Sequence, residues 1–135
     1  MKVEKQLRSE SGASAVEFAL LLPLLMMILF GIIEFGLALY RQAILTNASR
    51  EGARLGIVQS IPAITTGQIN AAIDNYLIPS GIPPGSVART IVAGGATGTP
   101  VQVTLTLPYT FTVLPGLTSI APTINLSAQT VMRHE

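Results

Sequence analysis

Residues 18–33 read Phe-Ala-Leu-Leu-Leu-Pro-Leu-Leu-Met-Met-Ile-Leu-Phe-Gly-Ile-Ile, an uncharged apolar run closed on either side by Glu17 and Glu34. Such a run needs lipid or an equivalent apolar partner. Sixteen residues at about 1.5 Å each cover about 24 Å, short of a hydrocarbon core of roughly 30 Å, whereas Ala13 to Tyr40 covers about 42 Å. The sequence therefore predicts one membrane span, with both glutamates near the interfaces, where a charge is far less costly than at the bilayer centre. Phe35, Tyr40 and Arg41 mark its far boundary.

Charge divides the rest of the 135 residues. Residues 1–12 hold Lys2, Glu4, Lys5, Arg8 and Glu10; residues 13–58 hold Glu17, Glu34, Arg41, Arg50, Glu51 and Arg54; residues 59–135 hold only Asp74, Arg89, Arg133 and Glu135. Three zones follow: a charged leader (1–12), a long helix (13–58) and a nearly uncharged polar domain (59–135). Positive charge flanks both ends of the span, so counting alone leaves the orientation undecided. The short leader and the Thr-rich tail favour an N-terminus in the cytoplasm and a C-terminal domain outside the inner membrane. A signal peptide, cut after the small residues Gly36 and Ala38, competes with this reading, but its apolar core is too long.

Composition excludes several functions. Only 11% of residues are charged, against roughly 25% in ordinary soluble domains, and mean hydropathy is +0.55. A net charge of +1 gives no basic field for nucleic acid. Without cysteine and with one histidine, His134, the chain lacks the makings of a Cys or His metal cluster. No cofactor is expected. Asp74, His134 and the scattered serines lack the spacing of a nucleophile and base, which argues against an enzyme. Gly94-Gly95-Ala96-Thr97-Gly98 lacks the lysine of a phosphate loop and reads as a mobile turn.

The helical pattern continues past Arg41 without proline to about Val58. From Ala13 that is 46 residues, or about 69 Å, with a kink expected at Pro23. Ala48, Gly52 and Gly56 form a small-residue stripe where another backbone can approach, either a neighbouring helix or the chain's own sheet. Arg50, Glu51 and Arg54 read as a solvated face with an ion pair between the last two.

Pro62 ends that helix. Thr65 or Thr66 caps a second one, whose apolar residues Ile69, Ala72, Ile73, Tyr76 and Leu77 keep helical spacing to about Leu77. A Pro- and Gly-rich turn region follows over 79–85. The period then becomes two: Val87 to Val92, then Val101, Val103, Leu105 and Leu107, then Ile124, Leu126 and Ala128. Tyr109–Val113 either extends the second strand past Pro108 or forms a separate edge segment. The fold class is α+β: a long N-terminal transmembrane helix extending into a small outer domain, with a short second helix and a three- to four-stranded antiparallel sheet packed on the helix.

Three segments in order carry a resemblance: Gly12-Ala13-Ser14-Ala15-Val16-Glu17-Phe18, Gly31-Ile32-Ile33-Glu34-Phe35-Gly36, and Asn47-Ala48-Ser49-Arg50-Glu51-Gly52-Ala53-Arg54. Over residues 8–58 the chain resembles the TadE-like pseudopilins of tight-adherence pilus systems. The resemblance implies a minor pilin or pseudopilin, a structural subunit that assembles or tips a pilus. It further implies that a prepilin peptidase on the cytoplasmic side cuts between Gly12 and Ala13, leaving Glu17 at mature position five and Phe18 at six. Implied partners are that peptidase, sister pilins and pseudopilins, the inner-membrane assembly platform and the lipid bilayer.

The residues themselves fit these roles. Gly12, between a polar leader and a helix, offers a place for the chain to unwind. The ammonium created at Ala13 suits neutralisation of Glu17 on a neighbouring subunit; otherwise Glu17 is an interfacial residue favoured by the helix dipole. A single-span anchor presenting a small binding module is the alternative function, and it would keep residues 1–12.

Overall fold

The computed structural model describes residues 2–59, 62–92, 94, 98–112 and 123–133, with side chains described from Gly12 onward. In chain order the elements are α1 (Lys2–Gly56), α2 (Thr66–Leu77), two single 3₁₀ turns (Ile78–Ser80 and Pro84–Ser86), β1 (Ala88–Val92), β2 (Pro100–Thr110) and β3 (Thr123–Arg133). The arrangement is α+β, as the sequence predicts. Two compact units form: Met1–Gly36 with Phe111–Ala121, and Leu37–Thr110 with Pro122–Glu135.

α1 begins at Lys2 and not near Ala13, so the helical backbone runs through Gly12 and also through Pro23 without a break. Residues 2–11 explain the early start, since Lys, Glu, Gln, Leu and Arg are good helix formers and no proline intervenes. Gly12 alone costs about 1 kcal/mol relative to alanine, too little to stop a helix supported on both sides.

In the first unit the apolar side chains of α1 face outward. Phe18 is 61% exposed and Leu20 75%. The helix is long and apolar enough to cross a membrane, and its most apolar stretch is not buried by the protein.

The second unit has a conventional core. Ala38, Leu45 and Ala48 are buried on α1, three or seven residues apart, which is the periodicity of one helix face. α2 buries Ile69, Ile73 and Leu77 at four-residue intervals. That stripe is narrower than the sequence suggests: Ala72 is half-buried and Tyr76 is exposed. Thr65 caps α2. Its hydroxyl accepts from the Gln68 N–H, and the Gln68 side chain accepts from the Thr65 N–H at 2.9 Å, a reciprocal capping box.

The sheet has three antiparallel strands in the order β1-β2-β3. Val101, Val103, Leu105, Leu107 and Tyr109 alternate inward along β2, while Gln102, Thr104 and Thr106 turn to the other face. β2 extends past Pro108 to Thr110, which decides between the two sequence readings of that segment; Val113 lies outside the described residues. The prolines also explain why β1 is short. β1 pairs only with Gln102 through Thr106, and Pro100 and Pro108, each one ladder step beyond those ends, supply no N–H to continue it.

Candidate functional site

The residues singled out for processing and assembly lie on one stretch of α1. Gly12, Ala13, Glu17 and Phe18 are all exposed, and the space where a Gly12 side chain would project is open. With 3.6 residues per turn, Ala13 and Glu17 lie one above the other on the same helix face. The exposed surface around them is apolar, Val16, Leu20 and Leu21 included.

Glu34 is the acid that sequence reasoning underestimates. Placed near an interface by the sequence, it is also covered by the protein itself: it is 1% exposed and lies within the first unit. Its carboxylate Oε1 accepts the backbone N–H of Thr112 at 2.9 Å. Residues 111–112 are thus tied to α1 at a point that periodicity does not mark. The one sequence signal is an acid inside the apolar helix, which calls for a partner.

The stripe Ala48, Gly52 and Gly56 faces the chain's own core. Ala48 is fully buried. A side-chain carbon on Gly52 would lie 2.9 Å from Ile73, and one on Gly56 would lie 2.7 Å from Val101 and 3.1 Å from Ile69. Glycine here lets α1 approach α2 and β2 closely. Between them sits Ser49, fully buried and satisfied. Its hydroxyl hydrogen-bonds the Thr46 carbonyl at 2.8 Å and shares a 2.7 Å bond with the Thr130 hydroxyl.

Two cations hold the second unit's margin. The Arg41 guanidinium lies 5.1 Å from the centre of the Tyr109 ring, within cation–π range. Arg89, mostly buried, donates to the Asp74 carboxylate and to the Pro84 carbonyl at 3.0 Å. Both charges of that pair stand in a zone holding only four, an isolation that itself signals a mutual partner. Arg54 and Glu51 form the expected exposed pair at 2.8 Å, worth a few tenths of a kcal/mol.

No group of three or more His, Cys, Asp or Glu able to hold a metal occurs among the described residues. His134 and Gly95 to Thr97 lie outside those residues.

A family model described as TadE-like protein matches residues 12–54. The match begins at Gly12 and ends at Arg54, covering the apolar part of α1 and its continuation into the second unit. No curated protein and no solved structure matches the chain significantly.

Proposed function

We propose that this chain is a minor pilin or pseudopilin of a tight-adherence pilus system, a structural subunit and not an enzyme. The observation that carries the reading is an outward-facing apolar helix bearing Gly12, Ala13 and Glu17 in one exposed turn and a half, inside the segment that matches the TadE-like family. α1 holds the subunit in the inner membrane. A prepilin peptidase removes residues 1–12, and the new ammonium of one subunit meets Glu17 of the next. Its partners are that peptidase, sister pilins or pseudopilins and the assembly platform.

The experiment is mass spectrometry of the protein taken from its native membrane. The expected mature N-terminus is Ala13. An intact leader on protein from cells with an active prepilin peptidase overturns the reading in favour of a single-span anchor with an outer binding module. α1 is helical through Gly12, so cleavage requires the peptidase to unwind at least one turn there. Gly12 makes that unwinding easier than any residue carrying a side chain.

A further inference from the structure

The depth of Glu34 follows from the helix that carries it. α1 is continuous from Lys2 to Gly56, and a span from Ala13 to Tyr40 has its midpoint between Met26 and Met27. Glu34 then stands about 11 Å from that midpoint, inside a hydrocarbon half-thickness of about 15 Å. The side chains beyond it agree: Phe35, Leu37, Leu39 and Tyr40 are exposed, and a contiguous exposed apolar surface of this kind suits lipid. A carboxylate at this depth reaches for water or pairs within the protein. Glu34 is 1% exposed, so it takes the second course.

The partner is non-helical backbone. β2 ends at Thr110, and Phe111 and Thr112 belong to neither helix nor strand. The Thr112 N–H donates to Glu34 Oε1 at 2.9 Å, a length that sets donor and acceptor at one level of the membrane. In hydrocarbon a non-helical N–H needs an acceptor from the protein and a carboxylate needs a donor, so this bond serves both groups. The sequence there offers lipid no charge to desolvate. No Asp, Glu, Lys or Arg stands between Arg89 and Arg133, and residues 111–121 read Phe-Thr-Val-Leu-Pro-Gly-Leu-Thr-Ser-Ile-Ala.

We propose that Phe111 and Thr112 make a second membrane contact, seated among the acyl chains of the leaflet at the C-terminal end of the α1 span and held there by Glu34. Lipid is the partner because the level is set by a helix whose exposed side chains are apolar, and the segment brings no charge to it. Phe111 supplies the apolar surface and Glu34 acts as the positioning residue. Two contacts, and not α1 alone, then tie the chain to the bilayer. The inference rests on the membrane reading of α1 and stands whether or not residues 1–12 are removed.

The chain has no tryptophan, so one introduced indole reports its own surroundings. Phe111→Trp and Thr112→Trp are compared with Phe35→Trp, exposed on α1 beside Glu34, and with Tyr76→Trp on α2. Each is prepared as full-length protein in phosphatidylcholine liposomes, with or without bromine in the upper part of the acyl chains, which quenches an indole it touches. Emission at positions 35, 111 and 112 should be blue-shifted and quenched several-fold more than at position 76. Adding Glu34→Leu, which cannot accept the Thr112 N–H, should lower quenching at 111 and 112 several-fold and leave position 35 unchanged. Glu34→Gln, whose amide oxygen still accepts, should preserve it. Quenching at both 111 and 112 no greater than at 76, with position 35 strongly quenched, overturns the proposal and leaves the membrane reading of α1 intact. No quenching at position 35 removes that reading and this inference with it. Quenching at 111 and 112 that persists in Glu34→Leu overturns the positioning role of Glu34.

Discussion

At the scale of single residues, two substitutions separate a role in assembly from a role in packing. Glu17→Gln preserves size and hydrogen bonding but removes the charge, which in the proposed pairing leaves a neighbour's Ala13 ammonium in apolar surroundings without its counter-ion. The expected outcome is a protein still cleaved after Gly12 that no longer co-purifies with its pilin partners. Normal pilus assembly by cleaved Glu17→Gln protein would show that the carboxylate is only a helix-start residue. Gly56→Ala acts on the fold instead. An added carbon would lie 2.7 Å from a Val101 methyl, a stiff β-branched neighbour that cannot swing aside. Overpacking of this kind costs about 1–3 kcal/mol, more than the gain of at most about 1 kcal/mol from replacing a helical glycine. Gly36→Ala, whose added carbon meets nothing within 4 Å, gains without the clash. Thermal denaturation of the full chain in detergent, followed by circular dichroism, should therefore rank Gly36→Ala at or above wild type and Gly56→Ala below it.

Elements of secondary structure are where the sequence is most legible, and α2 shows why. Thr65 followed three residues later by Gln68 is a capping signature, and Ile69, Ile73 and Leu77 repeat at helical spacing, so start, stop and buried face all follow from local chemistry. Thr65→Ala should destabilise the protein by about 0.5–2 kcal/mol. Adding Gln68→Ala on top should cost less than it does alone, because the two side chains satisfy each other's backbone donors. A double-mutant cycle in urea measures that coupling, and additive losses would contradict the reciprocal cap. β2 is legible for a similar reason, since alternation over Val101 to Leu107 names its buried face. Its continuation past Pro108 is not legible, because it depends on β1 having ended before that proline, which is a fact of pairing. Glu34 is opaque on the same grounds: its partner, Thr112, is 78 residues away, and no local pattern announces it. The helical start at Lys2 was obscured by charge, which separates leader from span in the sequence but does not interrupt a backbone of good helix formers.

For the whole molecule, the open question is which side of the membrane holds the second unit, and the fold changes how the charges count. On sequence alone Lys2, Lys5 and Arg8 before the span balance Arg41, Arg50 and Arg54 after it. The rule that positive charge stays inside applies to short flanking segments, whereas folded domains cross largely regardless of their charge. Arg41 stacks on Tyr109, and Arg50 and Arg54 stand on a helix whose other face is buried in the second unit's core. These arginines are part of a domain, so we propose that the leader's three cations set the orientation, with the N-terminus in the cytoplasm. Asn75 is exposed on α2 and suits a reporter cysteine. In intact spheroplasts an impermeant maleimide should label Asn75→Cys, while Ser9→Cys should react only after lysis. The experiment requires protein that still carries residues 1–12, obtained from cells without the prepilin peptidase or from a Gly12→Val variant, in which a side chain blocks the cut and leaves the apolar run intact. Labelling of Ser9→Cys before lysis, with Asn75→Cys protected, would invert the topology. It would also place Gly12 out of reach of a cytoplasmic-side peptidase, removing the cleavage step on which the pilin reading depends.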